Sequence, residues 1–226
     1  TRQGRSARAL TLAFTLTLGA CAWSPQPTNL ERADAMAADT PMMQAVANGN
    51  LERVKDLTTS GKSLNTLTEQ GTPLAKAAEA GEDRIAWYLL SEGASPDLAD
   101  EQGYTPLMIA ARKGNRRMIE LMLSAGADVN AISAEGDTSV ILAARAGNLS
   151  AVKALLGAGA NVNVSKNGKS LLMHVVEGGD LLMAEVLLAA GADVNHTNEN
   201  GTTALDLARQ HNNQDLQMLL VQAGAE

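Results

Sequence analysis

The chain has 226 residues, of which 45% are hydrophobic and 19% charged, and its formal net charge is −7. This length allows one or two domains, and the acidic balance argues against nucleic-acid binding, which needs a basic surface. Cys21 is the only cysteine, which excludes an intramolecular disulfide and a CxxC metal site.

Residues 1–20 have the layout of a secretory signal peptide. Three arginines, Arg2, Arg5 and Arg8, precede the apolar run ALTLAFTLTLGA at residues 9–20. That run is too short for a confident membrane-spanning helix, which needs about 20 apolar residues. We therefore predict a targeting segment at this end of the sequence.

Leu18-Gly19-Ala20-Cys21 closes this run and resembles the lipobox of bacterial lipoproteins. In proteins with that motif the cysteine carries the lipid, so the resemblance implies a lipid anchor at Cys21 and a tether over residues 21–39. Ala22 stands where inner-membrane lipoproteins carry a retention aspartate, which implies an outer-membrane lipoprotein facing the periplasm. The alternative is ordinary signal cleavage after Ala22, which would give a soluble periplasmic protein.

From residue 40 onward the sequence repeats every 32 or 33 residues. Each unit opens with a hydroxyl residue that can cap a helix, and in three units a proline suited to the first helical position follows. A short apolar stretch then ends at glycine, an expected left-handed helix end, and a second apolar stretch leads to phrases such as GADVN. The units start near Thr40, Thr72, Thr105, Thr138, Ser170 and Thr203.

This pattern resembles the ankyrin repeat. The resemblance implies an all-α ankyrin-repeat solenoid of about six helix-turn-helix repeats with short β-turn fingers, over residues 40–226. The histidine usual after T-P-L is replaced in all six units, and Asn212 stands where the sixth unit should have glycine. Each unit of such an array buries its apolar residues against its neighbours, so we assign the Met and Leu stripes to the core.

No motif predicts catalysis, a cofactor or a metal. The two GKS triplets lack the glycine that a phosphate-binding loop requires five residues earlier. The three histidines have no metal-ligand spacing. An enzyme is kept only as an alternative, to be recognised by turnover that depends on His174 or Glu177.

Ankyrin arrays generally bind proteins through their fingers and the concave face of the inner helices. Tyr and Arg often carry interface energy, and Trp87 aligns with polar positions of other repeats, which predicts that it is exposed. For the basic stretch at residues 111–117 we weigh three readings. They are an ion network within the protein that pairs Arg116 with Asp83, a partner-binding patch with Arg112 and Lys113, and a lipid or nucleic-acid surface. The candidate partner-binding residues are Tyr104, Arg112, Lys113, Arg145, Glu101 and Trp87.

The sequence therefore predicts a non-enzymatic protein–protein interaction module without cofactor or nucleic acid. We expect a monomeric scaffold or accessory to another protein of the bacterial envelope. The alternative is a periplasmic inhibitor or immunity-type protein that blocks a toxin or hydrolase.

Overall fold

The computed structural model describes residues 40–226, which form twelve helices in six helix-turn-helix pairs. The predicted signal peptide, lipidated Cys21 and tether lie outside these residues. The first helices of the pairs are α1 (Pro41–Ala47), α3 (Pro73–Ala80), α5 (Pro106–Lys113), α7 (Ser139–Arg145), α9 (Leu171–Glu177) and α11 (Ala204–Gln210). The second helices are α2 (Leu51–Thr59), α4 (Asp83–Ser91), α6 (Arg116–Ser124), α8 (Leu149–Gly157), α10 (Leu181–Ala189) and α12 (Gln214–Gln222).

The hydroxyl residue that opens each unit caps the first helix, as the sequence predicts. Each side-chain oxygen accepts a hydrogen bond from the backbone N–H three residues later, at 3.1–3.4 Å. Losing such a cap costs about 1 kcal/mol, so these residues set where each pair begins. The last pair adds a second bond, because Asp206 accepts from the Thr203 backbone N–H at 3.0 Å.

The pairs stack side by side, with each helix packed on its counterpart in the next pair. The first helices pack against each other more closely than the second helices do, so the first helices form the concave side. Their apolar residues, including Leu74, Leu107 and Leu171, are fully buried. Burying one such side chain contributes about 1.5–3 kcal/mol, and repetition along the stack gives one continuous core.

A finger-like turn leads from the second helix of one pair to the first helix of the next. One finger contains a two-stranded antiparallel sheet, β1 (Ser165–Lys166) and β2 (Lys169–Ser170). Its turn residue Asn167 is left-handed, with φ 53°. Asn212 also has a positive φ, 52°, and takes the left-handed conformation expected of the glycine it replaces.

The turns that directly follow the second helices are joined from repeat to repeat by side-chain hydrogen bonds. Asn65 accepts a hydrogen bond from the Ser95 backbone N–H at 2.8 Å, and Asn130 accepts from Asn161 in the same way. These bonds satisfy turn groups that no helix or sheet pairs. They also tie each turn to the one in the next repeat.

Asn148 does not cap α8, contrary to the expectation from its position. Its side chain instead donates to the backbone carbonyl of Arg112 at 3.3 Å, across the repeat boundary. Gly114 makes this possible, because a Cβ there would lie 2.5 Å from the Asn148 side chain. Gly114 also has φ 69°, a left-handed conformation that favours glycine. Both the backbone conformation and the contact with Asn148 therefore require glycine here.

Over residues 40–226, the helices are all too short or too polar to span a membrane.

Candidate protein-binding surface

A buried carboxylate organises the middle of the concave side. Asp137, in the finger before α7, is only 1% exposed. Its Oδ2 accepts a hydrogen bond from the Tyr104 hydroxyl at 3.0 Å and forms an ion pair with Lys166 Nζ at 2.7 Å. Its Oδ1 accepts no hydrogen bond from any described residue and lies 3.5 Å from Arg145 Nη1. Asp137 therefore joins three consecutive fingers and the end of α7.

Glu135 completes this group, which we name the Asp137 cluster (Tyr104, Glu135, Asp137, Arg145 and Lys166). Glu135 accepts from the Tyr104 hydroxyl at 3.2 Å and lies 3.8 Å from Lys166 Nζ. Burial, together with hydrogen bonds and charge from the two carboxylates, raises the pKa of Tyr104 to about 12. The phenol keeps its single proton at neutral pH, and Asp137 and Glu135 share that one donor.

Arg145 of the cluster and Arg112 beside it lie on the exposed side, and we call them the arginine pair. Arg112 is the last but one residue of α5 and Arg145 the last residue of α7, and they occupy equivalent positions in adjacent repeats. The Arg112 guanidinium lies 5.9 Å from the centre of the Tyr104 ring, within range of a cation–π interaction. With Tyr104, Glu135, Asp137 and Leu142, the pair lines a surface cavity of about 390 Å³.

A second cavity, of about 350 Å³, lies on the other side of Arg145 and is lined by His174 and Asp180. The Nε2 atom of His174 is buried and has no hydrogen-bond partner among the described residues. Burial lowers the pKa of this imidazole, and the nearby Glu177 opposes that shift. The two cavities share Arg145, and we call the surface that they line, from Tyr104 to His174, the groove.

The structure brings together three of the six candidate residues, Tyr104, Arg112 and Arg145. Lys113 is the exposed last residue of α5, next to Arg112, and Glu101 is exposed in the finger that carries Tyr104. Neither forms an ion pair with any residue in the range 40–226. Partner binding by all six residues stays a prediction.

Trp87 lies apart from the others, on the outer helix α4. It is 61% exposed, which confirms the exposure expected from its repeat position. Trp87 and Tyr88 line a cavity of about 600 Å³ that also reaches Lys55 on α2 and Arg117 on α6. Trp87 therefore belongs to a separate outer surface.

The predicted ion pair between Arg116 and Asp83 is wrong. Arg116 bonds to Glu120 on its own helix at 2.7 Å, whereas Arg117 lies 3.7 Å from Asp83 and Asn115 donates to Asp83 at 3.0 Å. Repeat spacing identified the contacting helices correctly. It could not say which of two adjacent side chains turns towards the neighbouring repeat.

The sequence analysis did not single out Asp137 and so missed its central position. A signal was present, because Asp137 follows Tyr104 by 33 residues, one repeat, so the two lie side by side in the stack. A carboxylate next to a phenol and near Lys166 can be buried, because each polar group then has a partner. The alignment of positions across repeats would have revealed this cluster.

Within residues 40–226, no group of three or more His, Cys, Asp or Glu side chains could hold a metal ion. The acidic groups of the Asp137 cluster are already held by Tyr104 and Lys166. The arrangement presents guanidinium, aromatic and imidazole groups along a groove, which is suited to recognition.

Comparison with protein families decides the classification. A family model described as ankyrin repeats (3 copies) matches residues 42–133 and again residues 135–226. The chain belongs to the ankyrin-repeat family. This confirms the fold predicted from the repeat pattern, and ankyrin repeats mediate protein–protein interaction.

Relatives and a solved structure support the same assignment. The ankyrin repeat domain of Bcl-3, titled a unique member of the IkappaB protein family, superposes with a TM-score of 0.77 at 30% identity, covering 83% of this chain and 87% of that one. Mouse protein phosphatase 1 regulatory subunit 27 is 44% identical over 61 residues, which is 26% of this chain and 40% of that protein. Myotrophin of Xenopus tropicalis is 35% identical over 58 residues, 25% of this chain and 49% of that protein. The chain thus matches less than half the length of these two relatives.

Proposed function

We propose that this chain is a lipid-anchored, non-enzymatic scaffold or accessory protein of the bacterial envelope, which binds a partner protein through the groove between Tyr104 and His174. The observation that carries the binding part is the Asp137 cluster, which holds Tyr104 by hydrogen bonds beside Arg112 and attracts Arg145 by charge. Rigidly held Tyr and Arg side chains are frequent hot spots of protein interfaces. Holding them in place before binding reduces the entropy lost on association.

The envelope part rests on the N-terminal sequence. Leu18-Gly19-Ala20-Cys21 offers a lipidation site after an apolar run and three arginines. A lipid on Cys21 would hold the repeats near the membrane surface through the segment of residues 21–39. The accessory role agrees in kind with the relative named as a regulatory subunit of protein phosphatase 1.

Two experiments test the two parts separately. Palmitate labelling of the chain expressed in a Gram-negative host should be lost in Cys21→Ser, and labelling that persists in this variant refutes the lipid anchor. Crosslinking in envelope extracts should recover a partner with wild type and with the control Arg53→Ala, an exposed outer-helix variant. Tyr104→Ala and Arg112→Ala should recover less of that partner, and equal recovery refutes the proposed groove.

A further inference from the structure

The arginine pair carries an unusual amount of unused hydrogen-bonding capacity. Arg145 lies 3.5 Å from Asp137 Oδ1, but that oxygen accepts no hydrogen bond from it. Arg112 makes only its cation–π contact with Tyr104 and forms no ion pair within residues 40–226. A guanidinium has five N–H donors in a planar fork, so both arginines present these donors to the groove.

The charge around the pair is positive, although the chain as a whole is acidic. Lys166 and Tyr104 bind the two carboxylates of the Asp137 cluster from within, and Lys166 is largely buried, with its side chain 13% exposed. Three cationic side chains (Arg112, Arg145 and Lys166) thus stand against two carboxylates. Arg112, Arg145 and Glu135 are exposed, so an approaching partner meets two cationic side chains and one carboxylate.

We infer that the arginine pair binds carboxylate groups of an acidic segment of the partner protein. The inference rests on the proposed function and specifies its partner chemistry. Arginine forms paired, parallel hydrogen bonds with a carboxylate, which supply geometric specificity as well as energy. Asp137 and Tyr104 act as positioning residues. Asp137 attracts Arg145 by charge, and the Tyr104 ring contacts the Arg112 guanidinium through a cation–π interaction.

The repeat geometry also indicates the form of this segment. Arg112 and Arg145 occupy the same position on adjacent helices, and packed helices lie about 8–10 Å apart. A polyproline II segment rises about 3.1 Å per residue with about three residues per turn, so carboxylates three residues apart lie on one face and span about 9 Å. Asp or Glu at positions i and i+3 is therefore the pattern that fits the pair.

The test is selection of a displayed library of random 12-residue peptides against the full chain. We expect the selected pool to be enriched in Asp and Glu over the input library. Synthetic peptides from the pool should bind about tenfold more weakly to Arg112→Gln and to Arg145→Gln, because each variant loses charged hydrogen bonds. The matched control Arg53→Gln, an exposed arginine on α2, should bind as wild type does.

The outcomes separate this inference from the proposed groove. A pool without acidic enrichment whose binding is lost in Tyr104→Ala overturns the carboxylate inference and leaves the groove in place. Acidic peptides that bind equally to wild type and both arginine variants also overturn the inference. Peptides insensitive to all three substitutions, or a library that yields no binder, count against both.

Discussion

Asp137→Asn tests whether the buried carboxylate holds the middle of the array together. The substitution keeps the shape of the side chain but removes its charge, so Lys166 loses its 2.7 Å ion pair. Removing one partner of a fully buried pair costs about 3–5 kcal/mol. Here the cost is reduced, because Lys166 is 13% exposed and also lies 3.8 Å from Glu135. We expect the free energy of unfolding to fall by about 2–3 kcal/mol.

Urea unfolding followed by circular dichroism at 222 nm measures this loss. With a slope near 2 kcal/mol per molar urea, the midpoint should move down by about 1 M. The control Glu135→Gln removes a carboxylate that is 64% exposed, and such surface pairs contribute about 0–1 kcal/mol. Equal midpoints for the two variants would refute the reasoning.

A double variant separates the ion pair from other effects of the substitution. Asp137→Asn combined with Lys166→Met removes both charges, so no buried ammonium is left without a partner. We expect the double variant to lose less stability than the sum of the two single variants. Additive losses would show that Asp137 and Lys166 do not stabilise the fold through each other.

Three further predictions concern other features of the array. The difference between the tyrosinate absorbance titrations of wild type and Tyr104→Phe should show a midpoint near pH 12. Because unfolded tyrosine ionises near pH 10.0, the stability that Tyr104 contributes should fall as the pH rises from 10.0 to about 12. A midpoint near 10.0 would contradict this prediction. Asp97 occupies the repeat position of Asn130, whose side-chain amide donates to the glycine carbonyl of the next turn at 3.2 Å, a bond that a carboxylate cannot donate. Asp97→Asn should therefore raise the free energy of unfolding by about 0.5–1 kcal/mol. An unchanged urea midpoint would contradict this prediction. Trp23→Phe leaves Trp87 as the only tryptophan of the sequence. Acrylamide should quench the Trp87 fluorescence readily, because 61% of this side chain is exposed. Strong protection from acrylamide would mean that another segment or subunit covers Trp87.

The sequence predicted the fold well because its signals are local and repeated. A capping residue such as Thr105, a proline such as Pro106 and a glycine such as Gly114 each dictate backbone geometry by themselves, and the period of 32 or 33 residues repeats that information six times. Side chains that meet across the stack were harder to place. The choice of Arg117 over Arg116 as the neighbour of Asp83 depends on rotamers, which repeat spacing does not encode.

The candidate surface was predicted in part. Tyr104, Arg112 and Arg145 were selected for their residue types, and the structure places them in one groove. The burial of Asp137 was missed because an aspartate in a finger usually faces water. Its environment is set by Tyr104 and Lys166, which lie in the fingers before and after it.

The Asp137 cluster has a consequence for how this array could change its length. Its members come from three consecutive fingers, so deleting a unit between Thr105 and Ser170 would remove either Asp137 with Arg112 or Lys166 with Arg145. Deleting the first or the last pair would leave all of these contacts intact. The repeats are thus similar in backbone but not interchangeable, and the chain can be shortened or extended at its ends without altering the groove.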